Sequence, residues 1–341
     1  MAEQLQSITG AGDEVFLTGA SGFVGSHVLR ALLAAQYRVR ALLRPGSRPL
    51  PPLDGCTTIV GDVLNSGDLV QHMVGCRYLV HVAALYSFLP GMHQKMYATN
   101  VRGCASLLEA AHLAGIERAI VTSSSSTVGP SYGGRPATED DWDVDAGSSA
   151  YHRSKLQQAR AALAAQLPVV LVLPTAPVGP GDWKPTPTGK MIVDFMRGRI
   201  FATLGGGMNV VPVEDVARAH VLALQRGRPQ ERYLVGGENL SLSQLWQRLA
   251  SICGRAAPSM RIPYRLALTL GWADEFRCQL FRKGKGGMAA PLIPLEGVRM
   301  ARHHMYVSSA KAQTELGYEP TSVTAALERA VRWYSDNGYA T

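Results

Sequence analysis

The stretch that decides the fold is EVFLTGASGFVGSHVLRALLAA, residues 14–35. It opens with a short apolar strand and continues into three glycines spaced GxxGxxG, which are Gly19, Gly22 and Gly25, before a helical pattern of apolar residues. The first glycine permits a tight turn, the second lets a pyrophosphate approach the backbone, and the third lets the helix pack closely on the strand. Because the helix N-terminus presents free N–H groups, the stretch predicts a dinucleotide-binding turn. The alternative is a tight glycine turn that binds nothing.

Further apolar strands alternate with helical segments along the chain. This alternation predicts an α/β fold of Rossmann type, a doubly wound parallel sheet with its ligand at the C-terminal strand ends and a smaller C-terminal substrate domain. We expect residues 13–180, with 211–240 returning to them, to form the dinucleotide-binding domain, and residues 181–210 and 241–335 to form the substrate-binding part. The strands are predicted at 15–18, 38–44, 57–60, 78–82, 119–122 and 169–173, and one helix is predicted over 91–115.

The ends of the early strands bear on the choice of cofactor. A carboxylate after the second strand would bind the ribose 2′-hydroxyl of NAD, but this strand ends at Arg44, with Arg48 four residues later. Since a guanidinium suits a 2′-phosphate, the sequence favours NADP over NAD. The alternative is that Arg44 is an exposed loop residue. Asp62 is placed to accept a hydrogen bond from the adenine amino group, and the small Ala83 and Ala84 let the backbone pass close to the cofactor.

A reactive pair is predicted where the helix SAYHRSK, residues 149–155, follows the hydroxyl-rich strand end VTSSSSTVG, residues 121–129. Tyr151 and Lys155 lie one helical turn apart, so the ammonium should sit near the phenol. An ammonium and a cationic nicotinamide would both lower the phenol pKa from about 10. Tyr151 could then exchange a proton with an alcohol or ketone while hydride moves, with serine hydroxyls holding the substrate oxygen. The alternative is a solvated helix face.

Taken together, the motifs TGASGFVG, GDV, HVAA, NVRG, VTSSS, YHRSK and LPTAPVGP resemble the extended short-chain dehydrogenases/reductases over nearly the whole chain. The register of the match selects Ser124 over Ser123, with Ser125 as the second choice. In the family the asparagine supports a water or backbone link to the lysine; for Asn100 a helix-kink residue is the alternative. The catalytic set that the resemblance implies is Asn100, Ser124, Tyr151 and Lys155.

The same resemblance implies the remaining site residues. Cofactor contacts are expected at Gly19, Ser21, Gly22, Phe23, Val24, Gly25, Arg44, Arg48, Asp62, Val63, Ala83, Ala84, Tyr151, Lys155, Pro174 and Ala176. Substrate contacts are expected at Tyr86, Ser125, Thr175 and Trp183, the last in a Pro/Gly-rich loop, residues 182–189, that is a candidate cover over the nicotinamide end. Within the family, the segments WKPTPTGKMIVDF, YLVGGENLSL and GVRMARHHMYVSSAKA are similar to bacterial proteins labelled hopanoid-associated sugar epimerases, near relatives of dihydroflavonol reductases and 3β-hydroxysteroid dehydrogenases.

Three functions follow as hypotheses. The first is an NADP(H)-dependent oxidoreductase that acts at a secondary alcohol or ketone of a small, fairly apolar substrate. The second is an epimerase or dehydratase of a sugar or nucleotide sugar that retains its cofactor and holds a diphosphate with Lys184, Lys190, Arg299 and Arg302. The third, a non-catalytic NADP(H) sensor, is less favoured because such proteins commonly lose the Tyr or the Lys.

Composition limits the other partners. The net charge is +8, but the basic residues are scattered, so we expect a small-molecule substrate and no nucleic acid. No secretory signal, long apolar run or metal-ligand spacing of the five cysteines is evident, which predicts a cytoplasmic protein without a metal. Residues 264–285 are read as a helix packed on the pocket or as an apolar face for peripheral membrane contact, with basic residues towards the lipid headgroups. A homodimer through a four-helix interface is the family expectation.

Overall fold

The centre of the structure is a seven-stranded parallel sheet. The computed structural model describes residues 12–86, 90–131, 134–142, 149–281 and 295–340. Numbered along the chain, the sheet strands are Glu14–Thr18 (β1), Arg38–Leu43 (β2), Cys56–Val60 (β3), Tyr78–His81 (β4), Arg118–Thr122 (β5), Val169–Pro174 (β6) and Arg232–Val235 (β10). Their spatial order is β10-β6-β5-β4-β1-β2-β3, and every neighbouring pair is parallel. The predicted doubly wound Rossmann-type fold is confirmed.

Helices cover both faces of this sheet because its strands carry apolar side chains on both sides. Leu17 packs into the core on one face of the sheet, and the preceding Phe16 points the opposite way, into the core on the other face. Both side chains are completely buried. The covering helices are Phe23–Ala34 (α1), Ser66–Met73 (α2), Gly103–Leu113 (α4), Ala150–Leu163 (α5) and Val213–Arg226 (α7).

The helix predicted over 91–115 is present, but its path is not uniform. A 3-10 turn over Pro90–Met92 leads into the short helix His93–Tyr97 (α3), and a π-helical turn over Ala98–Arg102 precedes α4. The fully buried Asn100 lies inside this π turn. Such turns widen a helix locally and often mark a place where a side chain is aimed at a functional region.

The rest of the chain builds a second layer beside the C-terminal strand ends. Its core includes Phe195 and Trp246, whose rings stack with centroids 5.8 Å apart. Its strands are Ala176–Val178 (β7), Ala202–Thr203 (β8), Gly207–Pro212 (β9), Glu238–Ser241 (β11), Met260–Arg261 (β12) and His304–Met305 (β13). Its helices are Pro187–Met196 (α6), Leu242–Cys253 (α8), Tyr264–Phe281 (α9), Leu295–Met300 (α10) and Val323–Asp336 (α11). The chain returns to the main sheet through α7 and β10; the division into two domains stays a prediction.

The strand order reverses between β1 and β4. From β1 the chain moves outward through β2 and β3, and from β4 it moves outward in the opposite direction. In open parallel sheets the crevice at this reversal is where ligands bind. The glycine turn after β1 therefore lies where a dinucleotide site is expected. Among the described helices, none is both long enough and apolar enough to cross a membrane.

Candidate active site

In the glycine turn after β1, two glycines are required by close packing and the third has open space beside it. Gly19 has a φ of +81°, and a Cβ there would lie 2.6 Å from the backbone nitrogen of Ala83. A Cβ on Gly25 would lie 1.9 Å from the carbonyl oxygen of Gly19, so the protein itself requires both glycines. A Cβ on Gly22 would meet only that same oxygen, at 3.3 Å. The side of Gly22 away from Gly19 is thus open, as a pyrophosphate cradle requires.

The first turn of α1 supports the same interpretation. Gly22 is its N-cap and supplies no side-chain hydrogen bond to the helix, and the first turn carries no acidic residue. The N–H groups of Phe23 and Val24 therefore lie at a helix terminus that favours an anion. These features fit a dinucleotide.

A cavity of about 690 Å³ adjoins this turn. Ser21 and Gly22 line it on one side, and Arg30, Arg48 and Trp183 line it on the others. Across it, the guanidinium carbon of Arg48 lies 3.8 Å from the ring centroid of Trp183. The part of the lining formed by Ser21, Gly22 and Arg48 suits a phosphate group, whereas most of the remaining lining is apolar, with Leu50, Leu53 and Trp333. Neither Ser124 nor Tyr151 lines it.

Trp183 does not lie where the sequence suggested. It was expected on the substrate side, in a loop covering the nicotinamide, but it packs against Arg48 and against the ring of Trp333, 4.8 Å away. The loop is also not a free cover, because the buried carboxylate of Asp182 accepts hydrogen bonds from Thr186 N and Oγ1 and from the hydroxyl of Tyr334. These bonds fix the loop to α11 and turn the indole towards the glycine turn.

The residues predicted for the adenosine end meet at one edge of the sheet. Gly61 N donates to the carbonyl oxygen of Leu43 at 2.9 Å, which brings the ends of β2 and β3 together. Arg44 and Arg48 are exposed there, and Asp62 accepts a hydrogen bond from Leu64 N at 3.0 Å. Val63 is buried beneath them. The arrangement is open to a nucleotide, and the roles of these residues stay predictions.

The small residues after β4 and β6 lie on the other side of the turn. Ala83 N donates to Thr18 Oγ1 at 3.3 Å and packs against Gly19, whereas Ala84 is exposed. Pro174 is buried at the end of β6, and Ala176 begins β7. Between them, Thr175 Oγ1 donates to Asn209 Oδ1 at 2.9 Å, so a substrate contact by this hydroxyl would compete with that bond.

Ser124 is the serine that meets Tyr151. The Ser124 hydroxyl lies close enough to the Tyr151 phenol to act on its pKa, and Ser124 Oγ accepts from Ser126 N at 3.2 Å and Ser126 Oγ at 3.0 Å. The side chain of Ser123 is buried and points away, as predicted, and Ser125 begins the 3-10 turn Ser125–Val128. The phenol ring of Tyr151 packs edge-on against Tyr86, with centroids 4.1 Å apart. The structure thus gathers a phenol, a serine and an aromatic ring at one point.

The Lys155 ammonium is held by two hydrogen bonds inside the protein. Its Nζ donates to the carbonyl oxygen of Thr122 at 2.8 Å and to Gln158 Oε1 at 2.5 Å, and the side chain is fully buried. These two bonds hold the ammonium at the end of β5, and its expected effect on the phenol stays a prediction. Burial raises the pKa of Tyr151 to about 12, against a smaller lowering by the hydrogen bond to Ser124. Burial also lowers the pKa of Lys155 to about 8.

Asn100 supports the backbone rather than the lysine. Its Oδ1 accepts from Leu85 N at 2.7 Å, and its Nδ2 donates to Leu85 O at 2.9 Å and to Ser154 Oγ at 3.1 Å. These described contacts tie the segment after β4, which carries Tyr86, to the helix that carries Tyr151. The position inside the π turn favours the structural alternative for Asn100 over a direct link to Lys155.

Two residues of the site were missed from the sequence. Gln158 accepts from Lys155, and Ser126 donates to Ser124. Each could have been found from local spacing, because Gln158 lies three residues after Lys155 on the same helix and Ser126 lies two residues after a serine that caps a 3-10 turn.

Replacing Lys155 with Met should raise the free energy of unfolding at pH 7. Because burial lowers the folded-state pKa from 10.5 to about 8, the unfolded chain holds this proton more tightly, and stability is lost as the pH falls from 10.5 towards 8. Below pH 8 the buried ammonium lowers the free energy of unfolding of the wild type by its full amount, about 3 kcal/mol. The variant avoids this cost but loses hydrogen bonds that contribute about 1 kcal/mol. Urea unfolding should show that the variant is more stable than the wild type by about 2 kcal/mol at pH 7, and that this difference disappears by about pH 9.5.

Lys184→Met is the matched control, because this lysine is exposed and should show no such gap. A difference between Lys155→Met and the wild type that stayed constant from neutral to alkaline pH would mean that Lys155 is not buried as an ammonium.

Comparison with known proteins agrees with this geometry. The model of the NAD dependent epimerase/dehydratase family matches residues 15–236. A protein of Synechocystis sp., named provisionally as a dihydroflavonol 4-reductase, is 40% identical over 96% of both chains. Sterol demethylase protein B of Methylococcus capsulatus is 32% identical over 94% of this chain and 98% of its own. The crystal structure of gox2253 superposes with a TM-score of 0.83 at 34% identity, covering 96% of this chain and 99% of that one.

The family match spans both the glycine turn and the tyrosine helix, and the two relatives cover nearly the full length. The predicted resemblance to extended short-chain dehydrogenases/reductases, and to dihydroflavonol reductases among them, is thereby confirmed. The chain belongs to the NAD dependent epimerase/dehydratase family and is an NAD(P)-dependent enzyme of the extended short-chain dehydrogenase/reductase type.

Proposed function

We propose that this protein is an NADP(H)-dependent reductase that converts a ketone of an apolar, cyclic substrate into a secondary alcohol. The observation that carries the proposal is that the phenol of Tyr151 lies next to Ser124 just after β5 and packs on the ring of Tyr86, in a sheet whose strand order reverses beside β4. A proton donor and a second hydroxyl at one point are what ketone reduction requires on the protein side.

The protonation of Tyr151 favours this direction of reaction. With its pKa raised to about 12 by burial, the phenol is neutral at physiological pH and can donate its proton to a carbonyl oxygen. Ser124 Oγ lies next to the phenol and would hold the same oxygen, so that the carbonyl is oriented before the proton moves. Oxidation of an alcohol would instead need the phenolate, and we expect that direction to require a higher pH.

The cofactor would be held by the turn and by the two arginines after β2. Backbone N–H groups at Phe23 and Val24 suit the pyrophosphate, whereas Gly22 N already donates to the carbonyl oxygen of Gly19 at 2.9 Å. Arg44 and Arg48 suit a 2′-phosphate. Bound NADPH would supply the hydride. The choice of NADP over NAD rests on the two guanidinium groups and on the absence of a carboxylate at the end of β2.

The apolar substrate class rests on the relatives and on the aromatic wall. The two full-length relatives carry names that refer to a flavonol and to a sterol, which are fused-ring molecules bearing a secondary hydroxyl or a ketone. The ring of Tyr86 lies against Tyr151 and offers a flat apolar surface beside the proton donor. The test is net oxidation of NADPH with steroid and flavonoid ketones; no consumption across such a panel would contradict the proposal.

Arg44→Ala should reduce the preference for NADPH over NADH by tenfold or more. A guanidinium and a phosphate form charge-assisted hydrogen bonds, so the loss should appear mainly in the KM for NADPH and little in the values for NADH. Steady-state kinetics with both cofactors measure it. Arg160→Ala removes an exposed arginine from α5 and is the matched control. An equal rise in KM for NADPH and for NADH would show that Arg44 does not contact the 2′-phosphate.

The second candidate, an epimerase or dehydratase with a retained cofactor, is favoured by the name of the matching family. It requires a cationic clamp for a nucleotide diphosphate. Of the residues predicted for that clamp, Lys190 pairs with Asp194, and the guanidinium of Arg302 lies 5.7 Å from the ring centroid of Tyr264. Lys184 and Arg299 are exposed. Since two of the four already have partners, this candidate has weaker support. The hopanoid association stays a prediction.

A further inference from the structure

The helix α9 turns its bulkiest apolar side chains outward. Its buried side is formed by small or charged residues, Ala267, Gly271 and Asp274, and it packs there against α10. An ordinary surface helix does the opposite and buries its large apolar residues. The exposed fractions of the outward side chains are 51% for Leu266, 42% for Leu270, 62% for Trp272 and 63% for Phe276.

Two further apolar side chains extend this surface. Phe201 is 70% exposed and Met260 is 52% exposed, and they lie at the paired short strands β8 and β12. Met260 pairs with Ala202, the residue after Phe201, and β12 leads into α9 within three residues. The outer apolar face is defined by Phe201, Met260, Leu266, Leu270, Trp272 and Phe276. Several large apolar side chains exposed in neighbouring elements are typical of a binding surface.

The charges around the outer apolar face are predominantly positive. Arg199, Arg261 and Arg265 are exposed beside it. Over residues 255–277 the sequence holds four arginines and two acidic residues. Of those two, Asp274 is buried and forms an ion pair with Arg277 at 2.6 Å. Arg199 pairs with Asp194 at 3.5 Å, so the positive charge of the face rests mainly on Arg261 and Arg265, beside its aromatic and aliphatic side chains.

The place of this face in the fold links it to the active site. Helix α10 packs on α9 and continues into β13. There, the carbonyl oxygen of His304 accepts hydrogen bonds from Ser131 N at 2.9 Å and Ser131 Oγ at 2.8 Å. Ser131 lies in the loop that begins at Ser124. The outer apolar face thus belongs to the part of the second layer that adjoins the reactive serine loop.

We propose that the outer apolar face docks the protein on an anionic lipid bilayer. Aromatic and aliphatic side chains would enter the headgroup region, and the arginines would meet lipid phosphates, which is the usual chemistry of an interfacial helix. A second copy of the chain is a poorer occupant, because a two-fold contact would set these arginines against themselves. The proposal goes beyond the reductase activity and does not depend on it.

Co-sedimentation of the full chain with lipid vesicles tests the docking. We expect binding to vesicles rich in phosphatidylglycerol, and binding weaker by tenfold or more to phosphatidylcholine vesicles or in about 0.5 M NaCl. Trp272→Ser combined with Phe276→Ser should reduce the partition coefficient at least tenfold. Arg261→Gln combined with Arg265→Gln should reduce binding to the anionic vesicles alone. Val74→Ser, at an exposed apolar residue after α2, should change nothing.

The docking proposal would be overturned if the wild type bound neither kind of vesicle, or if the Trp272/Phe276 variant bound them as well as the wild type. It would also be overturned if the wild type self-associated without lipid and that variant did not. The last would show that a second copy covers the face. Reduction of a water-soluble ketone should be the same in all these variants, because none lies at the Ser124–Tyr151 contact. A failed vesicle assay therefore leaves the reductase proposal standing, and an inactive enzyme that still binds vesicles leaves the docking proposal standing.

Discussion

Replacing Tyr151 with Phe should lower turnover about a thousandfold while changing the dissociation constant for NADPH by less than about threefold. The substitution removes only the hydroxyl that lies next to Ser124. It keeps the ring that packs on Tyr86, so the wall of the site is preserved. Because the lost group acts on the reacting oxygen and not on the nucleotide, the effect should fall on kcat.

Two variants calibrate this result. Ser124→Ala should lower turnover about a hundredfold, since it removes one of two hydroxyls at the substrate oxygen. Tyr97→Phe removes a phenol oxygen from the half-exposed Tyr97 on α3 and should leave turnover unchanged. Single-turnover oxidation of NADPH, together with fluorescence titration of the cofactor, separates the two quantities. If the Tyr151 variant kept more than about a tenth of wild-type turnover, the acid/base role would be refuted.

Gly22→Ala should raise the dissociation constant for NADPH about a hundredfold and leave the melting temperature nearly unchanged. Gly22 has a φ of −86°, which alanine adopts freely, and its Cβ would touch only the carbonyl oxygen of Gly19 at 3.3 Å. The protein therefore tolerates the methyl group, but the pyrophosphate, which needs that space, would not. Calorimetric titration and thermal unfolding measure the two effects.

Gly25→Ala is the contrasting variant. Its Cβ would lie 1.9 Å from the carbonyl oxygen of Gly19, which is backbone and cannot yield, so folding itself should lose about 3 kcal/mol or more. The pair separates the two functions of the glycine motif, room for the ligand and helix–strand packing. Normal cofactor affinity in Gly22→Ala would place the pyrophosphate elsewhere.

The sheet and the choice of serine could be predicted because both depend on local pattern. Apolar strands alternating with helices determine a parallel sheet, and the glycine spacing identifies the turn after β1. Ser124 follows from the register of the family match, which places the serine third in the run Thr122–Ser124, and the backbone is extended at Ser124, with a φ of −158° and a ψ of 145°. In extended backbone, successive side chains point to opposite faces, so Ser123 and Ser124 lie on opposite sides.

The orientation of the long side chains could not be predicted. Spacing of i and i+4 makes Tyr151 and Lys155 neighbours on the helix, but it does not fix where a four-carbon chain ends. That end is determined by the carbonyl oxygen of Thr122 and by Gln158. Likewise, Trp183 is placed by Arg48 and by the bonds of Asp182, which come from distant parts of the chain. For α9 the local pattern left two alternatives, a helix packed on the pocket or an apolar face turned outward, since a helical stripe does not say what it faces.

Transfer of deuterium tests the central claim most directly. The protein would be mixed with an apolar cyclic ketone and NADPH deuterated at the transferable position, and the alcohol product analysed by mass spectrometry and NMR. We expect one deuterium on the carbinol carbon of the product and one equivalent of NADPH consumed for each alcohol formed. Product or epimer formed without deuterium, while the added NADPH stays unconsumed, would contradict the account and would show an enzyme that recycles a retained cofactor.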